Sequence, residues 1–303
     1  MVFILIRQVL IMFLLMAVGF VLYRKGKINS EGTGQLSFLV LYISTPVLIL
    51  ESMTTPFVQE KLIKGIWTFV VSLLIILLSA LIARMIFKKE KSVTQFAMIF
   101  SNTGFLGIPL VRSVLGSEAV FYISVYILSL NLLLWTYGVY LISHDKRNIS
   151  VKKLLLNPTL LAIVAGLVLF VSGWRFPSIV EEAYGYLSAM NTGMAMLVLG
   201  VYLGETKLLE VIRQKEIWVI CFLRLIAVPL MSVILLTLLP IAMDIKTVLL
   251  IGSCTPCAGA LPMFCQQYGG EYRLGAGAVG ISTLLSLLTM PIFVQLLNMM
   301  AVL

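Results

Sequence analysis

Two short polar stretches interrupt long apolar runs: Ser101–Leu110 reads SNTGFLGIPL, and Thr255–Phe264 reads TPCAGALPMF. The chemistry available in them is binding rather than bond-making. Asn102, Thr103 and Thr255 supply neutral donors and acceptors. Pro109 and Pro262 each remove a backbone donor, and Gly104, Gly107 and Gly259 lower the cost of leaving helical geometry. A helix interrupted in this way exposes backbone groups. The start of the half-helix that follows presents unpaired N–H groups and about half a positive charge, which suits an anion. Asn131, inside LSLNLLLW, and Gln266, past the second stretch, are further polar candidates. For Asn131 the competing role is an interhelical hydrogen bond worth about 1 kcal/mol.

Catalysis finds no constellation. The single histidine, His144, lies in a basic loop. No aspartate pair and no Ser–His arrangement falls within the apolar runs, so an enzyme is not expected. Cys254–Cys257 reads CTPC, formally a CxxC, but no further ligands are near and the cysteines read as small apolar packing. No metal site and no cofactor are expected. Arg7 and Arg224 lie within apolar runs and Glu51 lies toward the end of one, while no Asp, Glu or His sits at the middle of any. Arg224 is expected to tie a helix to a neighbour's carbonyls, with steering of an anion as its second role.

The elements that must hold these residues are membrane helices. The chain has 303 residues, of which 60% are hydrophobic and 12% charged; soluble domains carry about 25% charged residues. A ruler of about 20 apolar residues gives about ten spans: 2–23, 36–53, 62–87, 93–114, 119–142, 157–174, 184–203, 216–239, 247–268 and 274–300. The fold class expected is therefore an all-α polytopic membrane protein of ten transmembrane helices. A β-barrel would alternate in polarity, and these runs do not. The first run lacks a basic leader and is long for a signal sequence, so it reads as a retained span. Pro46, Pro229 and Pro291 read as simple kinks.

The net charge of +9 reflects topology, not nucleic acid. Basic residues collect in alternate loops: Arg24, Lys25 and Lys27; Lys88, Lys89 and Lys91; Lys146, Arg147, Lys152 and Lys153; Lys207, Arg213 and Lys215. The positive-inside rule puts those loops in the cytoplasm and both termini outside the cytoplasmic membrane.

Shifting the sequence by about 153 residues lays GIPLVRSVLGSE (Gly107–Glu118) over ALPMFCQQYGGE (Ala260–Glu271). Pro109 meets Pro262, Gly116 meets Gly269 and Glu118 meets Glu271. Residues 1–142 then form a first repeat of five spans, 143–156 a cytoplasmic linker, and 157–303 a second repeat. Five spans being odd, the second copy is inverted relative to the first. Matching Gly/Pro interruptions in the fourth and ninth spans point to a transporter's binding site, where two broken helices cross.

These fragments also resemble, in order along the chain, the auxin efflux carrier family, related in fold to bile acid/sodium symporters. The fragments are LSFLVLYISTPVLIL, SNTGFLGIPLVRSVLG, LNPTLLAIVAGLVL, MAMLVLGVYLG, RLIAVPL, TPCAGALPMFCQQYGGE and STLLSLLTMPIF. The resemblance implies a scaffold of the first, second, sixth and seventh spans, commonly a homodimer contact. It also implies a transport domain of the third to fifth and eighth to tenth spans, moving elevator-fashion. It further implies a small organic anion such as a malate-like acid, with Asn102, Thr103, Thr255 and Pro256 in the binding site. Ser101 stands where plant members have proline, which moves the first break onto Gly104 and Gly107. Two rivals remain open: a sodium-coupled symporter of the bile-acid type, and a membrane sensor or scaffold that binds a ligand without moving it. Coupling to Na+ or H+ is left open.

Overall fold

The regular structure among the described residues is helical because, in a bilayer, a helix satisfies every backbone group within its own segment. A computed structural model describes residues 2–88, 91–206 and 208–300, so Lys89 and Lys207 lie outside the described residues. The principal helices are α1 (Val2–Arg24), α2 (Glu31–Met53), α3 (Gln59–Ile86), α4 (Ser92–Ile99), α5 (Thr103–Leu115) and α6 (Ser117–Ser143). They continue as α7 (Pro158–Ser172), α8 (Ser178–Glu205), α9 (Lys215–Leu238), α10 (Met243–Cys254), α11 (Leu261–Tyr268) and α12 (Tyr272–Met300). Seven of the described helices (α1, α2, α3, α6, α8, α9 and α12) are long and apolar enough to cross a membrane. An eighth crossing results if Lys146–Leu155 and Pro158–Ser172, bent by 46° at their junction, count as one span. Large apolar side chains of α1 (Phe3, Leu10, Leu14) and α7 (Val164, Val168, Val171) face outward, as lipid contact requires.

The prolines at positions 46, 109 and 229 do more than kink. Each follows a widened π-turn: Leu39–Ser44, Thr103–Gly107 and Leu223–Ala227. Proline cannot donate to the carbonyl four residues back. The turn ahead of it loosens so that Thr45 N–H donates to Val40 O, Ile108 N–H to Thr103 O and Val228 N–H to Leu223 O, each five residues back. Pro291 lies inside the continuous α12.

Packing follows small residues. α1 runs along α8 with backbones touching: a Cβ on Gly19 would lie 2.1 Å from Leu197 O, and one on Gly200 would lie 2.0 Å from Met16 O. α8 also holds α2, where Asn191 Nδ2 donates to Ser44 Oγ at 3.1 Å and Thr45 Oγ1 at 2.7 Å. α7 packs on the second half of α2, α3 packs on α6, and α12 contacts α9, α10 and α11. α5 and α11 end alike, at Gly116 and Gly269, whose φ of +87° and +82° favour glycine.

Ion pairs tie the bundle at its two ends. Lys64 bonds Glu60 and Asp244, each at 3.0 Å, joining the starts of α3 and α10. Lys91 bonds Glu216 at 2.7 Å, joining the starts of α4 and α9. At the same end as Lys91, Lys153 lies 5.9 Å over the Tyr268 ring.

Candidate functional site

Two unwound stretches meet inside the bundle. α4 ends at Ile99, and Phe100–Asn102 leaves helical geometry before the π-turn of α5 begins. α10 ends at Cys254, with Thr255 extended at ψ 148° because Pro256 follows it and disfavours the helical region. The stretches run antiparallel, with Ser101 opposite Cys257. Asn102 N–H donates to Pro256 O and Ala258 N–H donates to Phe100 O, both at 2.9 Å. Cys257 N–H donates to Ser282 Oγ of α12 at 3.1 Å. The interruption thus falls ahead of Gly107, Pro109 and Pro262. Pro262 stands at the start of α11, where a missing N–H is tolerated, while Pro109 lies inside α5, just after its π-turn. Gly259 lies within the second unwound stretch.

Four half-helix ends converge here, two negative and two positive. Arg224, set inward on its π-turn and 1% exposed, serves the negative ends. Its Nη1 donates to Met98 O at 3.0 Å and Ile99 O at 3.4 Å, closing α4. Its Nε donates to Thr255 O at 2.9 Å and its Nη2 to Ser253 O at 2.7 Å, closing α10. The positive ends are left open: no side chain caps the start of α5 or of α11.

Asn102 is 7% exposed, and its Nδ2 has no hydrogen-bond partner. It faces Gly259, where a Cβ would lie 3.6 Å from that nitrogen. Gly259 in turn lines a cavity of about 400 Å³. Tyr202, Glu205 and Thr206 of α8 form one wall, with Pro262, Met263 and Gln266 of α11 and Tyr272, Arg273 and Gly277 of α12 opposite. A second cavity of about 210 Å³ lies at the other end of the bundle, between Glu51 and Ser52 of α2 and Arg112 of α5. Glu51 accepts a hydrogen bond from Ser188 Oγ.

The structure gathers most of the residues singled out from sequence, with different duties. Thr103 is fully buried, and its hydroxyl is engaged with Ser101 Oγ at 2.7 Å, Thr255 Oγ1 at 3.3 Å and Gly252 O at 3.4 Å. Thr255 Oγ1 donates to Gly252 O at 2.8 Å. Gly104 has open space where a Cβ would stand, whereas Gly107 packs on Thr103. Gln266 and Pro262 line the larger cavity. Asn131 Nδ2 donates to Ile127 O of its own helix at 3.0 Å and lines neither cavity described. Sequence reasoning missed the α8 wall. Tyr202, Glu205 and Thr206, spaced i, i+3, i+4, share one helix face, and that spacing was the available signal.

A family model described as membrane transport protein matches residues 4–294. The chain is also 24% identical over 300 residues to an uncharacterized transporter of Methanocaldococcus jannaschii, with 94% of this chain and 96% of that protein covered.

Proposed function

The chain belongs to the membrane transport protein family, that of the auxin efflux carriers, and on that premise we propose that it carries small organic anions, malate-like acids, across the cytoplasmic membrane. It is a transporter and not an enzyme. The observation that carries the anion reading is the buried, unpartnered amide nitrogen of Asn102, which lies directly behind Gly259 in the wall of a cavity of about 400 Å³. Beside it lies the uncapped start of α11. A carboxylate accepts from such donors at little desolvation cost, and the volume falls within the range of small-molecule sites.

The carrier has ten crossings as a five-plus-five inverted repeat, counting α4 with α5 and α10 with α11 as one broken crossing each. Three features support the repeat. Gly116 and Gly269 end equivalent half-helices with positive φ. The Lys91–Glu216 and Asp244–Lys64 pairs occupy equivalent positions with their charges exchanged. The two cavities lie at opposite ends, one against α8 and one against α2. The scaffold is α1, α2, α7 and α8, locked at Gly19 and Gly200 and forming the homodimer contact; the remaining helices move past it as a unit bearing the crossing. The basic loops face the cytoplasm, both termini lie outside, and the larger cavity opens inward.

Melting curves of the purified protein against a panel of three- to five-carbon mono- and dicarboxylic acids test this reading. An acid at 100 times its dissociation constant adds about 2.7 kcal/mol of stability, and the same acid should show counterflow in proteoliposomes. Stabilisation by cationic solutes alone, or binding without counterflow, refutes it.

A further inference from the structure

Arg224 is buried in a part of the fold where charge needs an explanation. Its four described carbonyl partners, on Met98, Ile99, Ser253 and Thr255, belong to the ends of two different interrupted helices. None of the ion pairs described involves it. Unwound carbonyls and half-helix C-termini are the groups that coordinate sodium in carriers with broken helices, because they offer oxygen ligands and a partial negative charge inside the membrane. Here the guanidinium already takes that position, and it reaches both helices at once through its planar fork of donors.

We propose that Arg224 is a resident counter-cation. It cancels the negative ends of α4 and α10, so that the positive starts of α5 and α11 stand uncompensated at the crossing, that of α11 beside the cavity through Gly259 and Pro262. A bound carboxylate then completes the balance of charge. The assignment rests on the anion-carrier reading and deepens it: binding needs an anion and no sodium, because the cation is part of the chain. Arg224 is a positioning residue, acting on the ligand through the half-helix ends rather than by contact.

The probe is whichever of malate, malonate, succinate and lactate raises the wild-type melting temperature most. Its affinity for the full-length protein is measured at equal ionic strength in sodium chloride and in choline chloride. Wild-type affinity should agree within about twofold between the two salts. Arg224→Met, which keeps much of the length and loses the charge, should weaken binding at least tenfold while still eluting as a folded species. Arg224→Lys should recover most of that loss, and millimolar guanidinium should restore binding to Arg224→Ala. A wild-type requirement for sodium overturns the proposal, as does a folded Arg224→Met that binds as tightly as wild type. If the Met variant does not fold, the guanidinium response of Arg224→Ala decides: restoration upholds the proposal and its absence overturns it. If no acid stabilises the wild type, the anion reading fails and the salts still judge Arg224. Sodium stabilising only Arg224→Ala supports a resident cation; sodium stabilising the wild type, or neither protein, excludes one.

Discussion

Asn102→Ala should separate ligand binding from folding. The amide nitrogen removed has no partner in the protein, so truncation breaks no described side-chain hydrogen bond. A buried donor left unpaired costs about 1–3 kcal/mol. Releasing that cost offsets the packing lost with the side chain. The ligand-free variant should therefore stay within about 1 kcal/mol of wild-type stability. Its backbone bond to Pro256 O, at 2.9 Å, remains. The bound acid, by contrast, loses one charge-assisted hydrogen bond worth about 1.5–3 kcal/mol, a weakening of roughly 10–100-fold. At an acid concentration that contributes about 2.7 kcal/mol to the wild type, a 30-fold weaker site contributes about 0.9 kcal/mol. Melting curves with and without acid read both quantities, and titration calorimetry gives the affinity directly. A ligand-free variant destabilised by more than about 3 kcal/mol, with affinity intact, would show that Asn102 serves the fold and not the ligand.

Four further outcomes follow. Gly200→Ala places a Cβ 2.0 Å from Met16 O and should destabilise the protein by about 1–3 kcal/mol, whereas Gly185→Ala in the same helix meets nothing within 4 Å and should be near neutral; chemical denaturation compares them. Gly259→Ala sets a Cβ 3.6 Å from Asn102 Nδ2 and meets nothing nearer, so acid affinity should fall at least tenfold (about 1.4 kcal/mol) with little change in melting temperature. Glu216→Lys should cost about 1–3 kcal/mol, because the half-exposed pair with Lys91 contributes at most about 1 kcal/mol but buried Thr94 also loses its carboxylate acceptor, and Lys91→Glu in the same chain should return only the ion-pair part. The Glu216 carboxylate raises the Lys91 pKa, so with Glu216 ionised, above about pH 4.3, this pair's contribution is full up to about pH 10.4 and fades as pH rises through the folded Lys91 value, visible as a melting temperature that falls in strong base.

The helices were legible because lipid imposes one rule along the whole chain, and apolar run length reports it directly. The seven long helices each overlie an expected span, most of them extending it by a few residues; Asn29 Oδ1, accepting from Gly32 N–H, starts α2 earlier than hydropathy does. The two interruptions were legible from glycine and proline density, but not their centres. Proline acts on the turn before it, so the loosened turn of Thr103–Gly107 answers to Pro109, whereas the true gap lies further back at Phe100–Asn102. Pro256 ends α10 by restricting Thr255, a local effect that the sequence carries. That Arg224 would reach both interruptions was not readable, because Met98 and Ser253 are brought together only by the tertiary crossing. Asn131 shows the reverse: a polar residue in an apolar run draws attention, yet a carbonyl of its own helix satisfies its amide.

The paired backbone bonds between Phe100, Asn102, Pro256 and Ala258 have an ancestral corollary. Each unwound stretch satisfies part of the other's backbone, and several kcal/mol per stranded group would be forfeited in lipid without that partner. On the proposed five-plus-five repeat, a single five-helix unit would then be no viable minimum for this architecture. A progenitor built from one such unit would need to insert in both orientations and dock upside-down against its twin, a partnership that joining the two copies in tandem would make permanent.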